Sequence, residues 1–394
     1  MTAPRLRSLD ALRGLTMGAM VLVNNPGSWS AVYPPLLHAK WHGCTFTDLV
    51  FPFFLFIVGA AMAFSSRTIA TQGSWLQRWG PVLRRAAILF ALGLFLNGFP
   101  FYDLSSIRVP GVLQRIALCY LLAIVIVRVA AKFSRPILVQ ACAALGLLVV
   151  HAGLLALGLR GWPTDWLGVG PAMNAADVKP ALVHGAGYLS SVENTSRWLD
   201  LLAIGKAHLW SGAATDPEGL LGTLSATVST LAGYWTGLWV KREAQAAAGT
   251  VARRVLLVGA IALGLGWAMN LAMPWNKALW TPSYAVFTAG WALVTLAALH
   301  AIQGRNARAA GWVLGPLETM GVNAIALFVA SGVIGRVLTL IKVHDLTLKA
   351  WIVERLFGFW LKPIDASLAF ALLNVAAWFG VLWVMQRRGW QIRV

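Results

Sequence analysis

Residues 24–59 read NNPGSWSAVYPPLLHAKWHGCTFTDLVFPFFLFIVG, and the fold turns on how they are parsed. A hydrophobic run ends at Val23. Asn24, Asn25, Pro26 and Gly27 follow, a combination that stops a helix. A short segment with His38, Trp41 and His42 comes next, and Asp48 stands at the mouth of a second hydrophobic run. The stretch is therefore a connection between two apolar segments. It gathers an imidazole, a carboxylate and a carboxamide where the chain leaves and re-enters a membrane. Polar groups at that depth are costly, and those that persist usually carry function.

The rest of the chain has the same character. It is 394 residues long, 58% hydrophobic and only 12% charged, with a mean hydropathy of +0.70. A soluble domain carries about 25% charged residues. Runs long enough to cross a bilayer predict ten helices, at about 9–25, 48–65, 83–99, 111–130, 136–159, 219–240, 253–273, 281–302, 314–341 and 367–386. No small-residue cleavage site follows the first run, which is read as a permanent helix. The expected fold is an all-α polytopic membrane protein of about ten transmembrane helices, with both termini cytoplasmic. Residues 1–394 read as a single transmembrane domain with an extracytoplasmic loop at about 160–218. That loop is expected to hold a short interfacial helix near Trp198–Trp210. A second outer segment, LTLKAWIVERLFGFWLKP, is expected to lie on the interface.

Charge placement follows this topology. With the N-terminus inside, the arginine clusters fall on one face, including Arg5, Arg7, Arg13, Arg84, Arg253 and Arg387. Only Asp10 and Glu243 oppose them there, so nearly all of the net charge of +18 lies on the inner face. That is the positive-inside pattern, and it accounts for a pI of 10.8 without nucleic-acid binding. Twenty Trp against six Tyr suit interfacial belts and sugar-stacking surfaces. Cys44, Cys119 and Cys142 show neither CxxC nor metal spacing and read as small apolar residues.

An imidazole oriented by a carboxylate acts as a general base or an acyl-accepting nucleophile. His38 and Asp48 are ten residues apart, and His42 competes with His38 on chemistry alone. Asp48 also reads as a cap of the second helix. Asn24 and Asn25 read either as turn formers or as donors to a developing oxyanion. His38, His42 and Asp48 are the one candidate metal set, but Pro34, Pro35 and Gly43 argue against the helix that His-x-x-x-His spacing needs. No metal is expected. Walker, GxGxxG and GxSxG motifs are absent. Trp41 beside His38, and Asn270, Asn276, Lys277 and Trp280 at the outer ends of helices seven and eight, either contact a sugar or order their loops.

The blocks RLRSLDALRG, MVLVNN, LLHAKWHGCTFTDLVFPFFLFIVG, RVPGVLQRIALCY, TDPEGLLGTLSATVSTLAGYWTGLWV, MPWNKALWTPSYAVFTAG and GVNAIALFVASG resemble the membrane-bound heparan-alpha-glucosaminide N-acetyltransferase family and its bacterial relatives. The resemblance recurs from residue 5 to the C-terminus. It implies transfer of an acetyl group from cytoplasmic acetyl-CoA to an amino sugar across the membrane. The family's active-site His matches His38, since Asn usually stands where this chain has His42. Its Asn matches Asn24, its aspartate matches Asp48, and its arginines match Arg5, Arg7, Arg13 and Arg108. Ser331 stands where the animal enzymes have a second His.

These readings lead to an acetyl-CoA-dependent acyltransferase in the bacterial inner membrane. Arg5, Arg7, Arg13 or Arg84 would lie near the CoA phosphates, His38 would be the base or carrier, Asp48 its orienter and Asn24 the oxyanion donor. The expected partners are acetyl-CoA, an amino-sugar acceptor and the lipid bilayer, with a homodimer left open. The alternative is an inner-membrane transporter of N-acetylglucosamine or a related amino sugar, and a weaker one is a structural subunit of a polysaccharide machine. Arg115, about five residues inside the fourth helix, is expected to face the bundle interior, paired with Asp48 or Glu318 or lining an acyl tunnel.

Overall fold

Every one of the ten apolar runs is helical in the computed structural model, which describes residues 6–65, 73–158, 183–185, 187–304 and 307–392. The helices are α1 (Arg7–Asn24), α2 (Phe46–Phe64), α3 (Trp75–Gly98), α4 (Val112–Ala130), α5 (Pro136–Leu157), α6 (Thr195–Ala203), α7 (Thr223–Arg242), α8 (Ala248–Ala272), α9 (Pro282–Gln303), α10 (Ala307–Val322), α11 (Ala324–Leu340), α12 (Leu348–Val353) and α13 (Pro363–Arg387). The only strands among the described residues are Lys342–Val343 and Leu346–Thr347, paired antiparallel.

Among the described residues, seven helices are long and apolar enough to cross a membrane: α2, α3, α4, α5, α8, α9 and α13. Counting the pair α10 and α11 as one span makes eight. Of the ten expected spans, α1 and α7 fall short by this measure, for reasons visible in their residues. α1 carries Arg7, Asp10 and Arg13 in its first two turns. α7 is rich in Thr, Ser and Gly, and it packs against α2, α4, α5 and α9, so protein rather than lipid is its solvent. The ninth run is broken: α10 and α11 meet at 71°. Asn323 at the break donates to Trp390 O and accepts from Ile392 N, which ties the C-terminal segment to the bend.

Burial separates core from periphery. The apolar window of α2 is 72% buried, whereas those of α5, α8 and α13 are each 17% buried. The outer helices turn Leu145, Val149, Leu257, Ile261 and Leu372 outward, as a lipid-facing surface requires. Glycines permit the closest approaches in the core. A Cβ on Gly59 of α2 would lie 1.8 Å from Thr230 O of α7, and a Cβ on Gly233 of α7 would lie 1.8 Å from Phe56 O. Small residues at such crossings let helix backbones touch.

Of the loop expected to be extracytoplasmic, residues 183–185 and 187 onward are described. The expected interfacial helix is α6, followed by a 3-10 turn at Lys206–His208. The stretch GWPTDWLGVGPAMNAADVKP at 161–180 lies outside the described residues, as does Arg5. The Trp-containing outer segment forms α12 and a π turn at Glu354–Gly358.

Arg115 occupies the interior position expected of it, at 1% exposure. Its partners differ from the acids expected. Nη1 donates to Pro217 O at 2.8 Å and Nη2 to Gly219 O at 2.5 Å, and the guanidinium lies 5.2 Å from the Trp280 ring centroid. Glu318 is taken by Arg7 at 2.7 Å and Asp48 by His38. Arg115 thus anchors the 217–219 turn to α4. Arg115→Met is expected to leave two carbonyls unpaired and to destabilise the fold by about 2 kcal/mol. Thermal unfolding in detergent checks this, and an unchanged Tm would exclude the anchoring role.

Candidate active site

His38 is held from both sides of its own backbone. Thr45 Oγ1 donates to Leu37 O at 2.6 Å, and Ala39 N donates to Asp48 Oδ2 at 3.0 Å. Asp48 is the third residue of α2 and reaches back to the N-cap, with Oδ2 accepting from Thr45 N and Thr45 Oγ1, both at 3.0 Å. Its other oxygen lies 2.7 Å from His38 Nδ1. Capping and orienting, weighed as alternatives from the sequence, are therefore done by the two oxygens of one carboxylate. Asp48 is 1% exposed, whereas the His38 side chain is half exposed. With Nδ1 on Asp48, Nε2 is the ring atom left to work with.

The loop before α9 closes the other side. Lys277 Nζ lies 3.3 Å from His38 Nδ1 and 3.1 Å from Nε2. Asn270 Oδ1 accepts from Trp275 N, and Asn276 Oδ1 accepts from Leu279 N. Gly43, at φ +122°, donates its N–H to Trp275 O and ties the His38 loop to this one. That φ favours glycine. Tyr284 of α9 donates to Asp48 O. Trp41 donates to Leu189 O at 2.8 Å, which brings in the loop that precedes α6.

A cavity of about 200 Å³ lies over this cluster, lined by His38, Trp41, Asp48, His184, Trp210 and Lys277 among others. Two further cavities run through the bundle. One of about 330 Å³ is lined by Arg13, Arg85, Gly321, Ile392 and α2 and α4 side chains. One of about 490 Å³ is lined by Asn24, Asn97, Arg108, Gln114, Ser331 and Arg336. Both are bordered by Val112, Leu113 and Phe328, so the two cavities are neighbours, one lined by Arg13 and Arg85 and the other by Asn24.

The predicted residues are thus only partly gathered. His38, Asp48, Trp41 and Lys277 share one cavity. Asn24 lines the larger one instead, together with Arg108, which is ion-paired to Asp216 and Glu218 and lies 5.4 Å from the ring centroid of Trp210 in His38's cavity. Those ion pairs engage the Arg108 guanidinium, and Arg115 is engaged as described. Arg7 is paired with Glu318, Arg13 with Asp10, and Arg84 is exposed. Arg85, which the sequence reading passed over in favour of its neighbour, is the one that lines the inner cavity. Adjacent helical residues point about 100° apart, so only one of the pair can face in.

Trp280 is corrected. It is 0% exposed, with φ +50°, and its ring packs edge-on against Phe51 and Tyr284. It fills the core and offers no face to a sugar. Asn270 and Asn276 order their loop. His42 turns to Asn276 Nδ2 at 3.4 Å. Among the described residues no group of three or more His, Cys, Asp or Glu is arranged to hold a metal. Burial pushes the Cys44 thiol up to about 12, so it is not a nucleophile at neutral pH.

The profile of the heparan-alpha-glucosaminide N-acetyltransferase catalytic family matches residues 5–167, the segment that holds His38, Asp48 and Asn24. The heparan-alpha-glucosaminide N-acetyltransferase of Homo sapiens is 28% identical over 367 residues, covering 83% of this chain and 52% of the human protein. That of Mus musculus is 28% identical over 374 residues, covering 84% of this chain and 54% of the mouse protein. The chain is thus similar to this acetyltransferase family, by the profile over residues 5–167 and by the two relatives over most of its length. It spans about half the length of the curated relatives it matches.

One buried acid beside the site carries a pH dependence. Asp200 of α6 is fully buried, with Oδ1 accepting from Leu220 N at 2.7 Å and Oδ2 without a partner among the described residues. Burial raises its pKa to about 7, with Asp216 adding to the rise and Leu220 N and Arg115 opposing it. A carboxyl whose folded pKa lies above its unfolded value favours folding below about pH 4. That contribution is lost as pH rises through about 7. The fold is therefore expected to lose stability between pH 5 and pH 8, and Asp200→Asn to flatten the loss. Tm across that range checks this, and equal slopes for wild type and variant would refute it.

Proposed function

We propose that the chain is a membrane acetyltransferase that moves an acetyl group from acetyl-CoA to the amine of glucosamine or of an oligosaccharide containing it. The observation that carries this reading is the His38–Asp48 pair at the mouth of α2, pinned by its backbone and opening onto a cavity. The match to the catalytic family over the same segment supports it.

The positive-inside rule places the arginine-rich end in the cytoplasm and His38 on the far side. The two neighbouring cavities, one with Arg13 and Arg85 and the other with Asn24, suit a long donor with an anionic head and a narrow arm. The acceptor amine approaches His38 Nε2. Its nitrogen attacks the thioester carbonyl, the C–N bond forms and the C–S bond breaks. His38 takes the amine proton and passes it to the departing thiolate, while Asp48 orients the ring and stabilises the imidazolium. The acetyl end must pass from the cavity that Asn24 and Arg108 line to the one that His38 lines.

The test is acetyl transfer from acetyl-CoA to glucosamine by purified protein in detergent. Sustained transfer is expected. Labelling of the His38 peptide by acetyl-CoA alone would make His38 a transient carrier rather than a base. A second reading, amino-sugar transport, is favoured by one observation, the 71° break between α10 and α11. Uptake of labelled N-acetylglucosamine into proteoliposomes without acetyl-CoA would support it over the enzyme.

A further inference from the structure

The cation against His38 lacks the partner that cations at this end of the bundle have. Arg108 is held by Asp216 and Glu218, and Arg115 by two backbone carbonyls. Lys277 Nζ instead lies nearly equidistant from the two nitrogens of His38, at 3.1 and 3.3 Å. Among the described residues no carboxylate comes within ion-pair distance of it. The imidazole can take one of the three ammonium hydrogens, which leaves two available to a substrate.

We infer that Lys277 is a catalytic residue of the transfer proposed above, donating a hydrogen bond to the thioester carbonyl oxygen as it becomes an oxyanion. The inference rests on that reading of the site. Three observations carry it. The ammonium lies within about 3 Å of the nitrogen at which proton transfer takes place, and both groups face the same cavity. Asn24, the donor that the sequence suggests, lines a different cavity. The Lys277 loop is also fixed before any substrate arrives: Asn276 N donates to Thr281 Oγ1, Thr281 Oγ1 to Pro274 O, and Ser283 Oγ to Met273 O. A fixed donor aimed where charge develops needs no reorganisation in the transition state.

The charge balance of the step is simple. The amine nitrogen bonds to the acetyl carbon, the oxygen gains the negative charge, and Lys277 donates to it without losing its proton. Collapse of the intermediate expels the thiolate, which takes the proton that His38 removed. The electrostatic surroundings favour a lysine tuned to this work. Burial lowers the pKa of Lys277, Arg115 and Arg108 lower it further, and Glu218 and Asp48 oppose them.

The test compares Lys277→Met and Lys277→Arg with wild type in the acetyl-CoA and glucosamine assay, with Tm as a folding control. Lys277→Met is expected to lower kcat by about 10²–10³ while KM for both substrates stays within a few-fold. Lys277→Arg is expected to restore at least a tenth of the rate, and to move the basic limb of the kcat profile to higher pH, because guanidinium stays charged. A rise in the KM for glucosamine with kcat unchanged would overturn the inference and make Lys277 a sugar-binding residue. So would loss of activity in both variants with a lowered Tm, or full activity of Lys277→Met. Absence of transfer by the wild-type protein would overturn the parent reading, and this inference with it.

Discussion

His38→Ala is expected to lower kcat for acetyl transfer by about 10³-fold with little change in Tm. The imidazole is half exposed, and the backbone on either side of it is held by Thr45 and Asp48 rather than by the ring. Its removal therefore takes away chemistry without taking away structure. Asp48→Asn is expected to lose nearly as much rate, since its effect runs through the orientation of His38. The double variant should be no slower than His38→Ala alone, because two residues acting as one unit are not additive. Asp48→Asn should change Tm far less than rate: the amide oxygen can still accept from Thr45 N, Thr45 Oγ1 and Ala39 N, which all bond Oδ2, whereas an amide nitrogen replaces the oxygen that faced His38 Nδ1. Steady-state kinetics on the three variants, with Tm for each, measures all of this. A His38→Ala protein that retains full activity would remove His38 from the mechanism.

Gly59→Ala and Gly233→Ala are each expected to abolish accumulation of folded protein. The added Cβ would meet Thr230 O or Phe56 O at 1.8 Å, and both obstacles are backbone. Ordinary overpacking costs about 1–3 kcal/mol because side chains give way. Here α2 and α7 must separate along their shared face, so the cost should exceed that range. The consequence reaches the site, because α2 carries Asp48 at its first turn. Gly146→Ala on α5 is the control: nothing lies within 4 Å of its Cβ. There the better helix former should be neutral or stabilising. Size-exclusion profiles and Tm in detergent decide the matter. A Gly59→Ala protein that melts with the wild type would show that the two helices are not in contact.

What was legible in the residues was the periodic and the local. Ten apolar runs were found and all ten are helical, because length and hydropathy act on each run by itself. The polarity of α7 has a reason that only its neighbours reveal, since it packs against α2, α4, α5 and α9. The bend at Asn323 was foreshadowed only by the length of the ninth run. At the site, His38 and Asp48 were readable because ten residues of loop and a helix N-terminus bring them together. Lys277 was identified as a site residue, but its contact with the His38 ring spans 239 residues and no local pattern encodes it.

The sequence by itself determined that this is a helical membrane chain, how unevenly its arginines are spread, and that His38 and Asp48 share the stretch after Val23. Those properties are sums over residues: hydropathy, charge and the motif His-x-x-Trp-x-Gly followed by Asp-Leu-Val-Phe-Pro. Only the tertiary structure decided that Trp280 fills the core, that Arg115 holds two carbonyls instead of an acid, and that Asn24 and His38 face different cavities. Each of these depends on which faces of distant helices meet. Glycine contacts such as Gly59 on Thr230 and Gly233 on Phe56 fix those faces, through close packing that no single segment carries in its own composition.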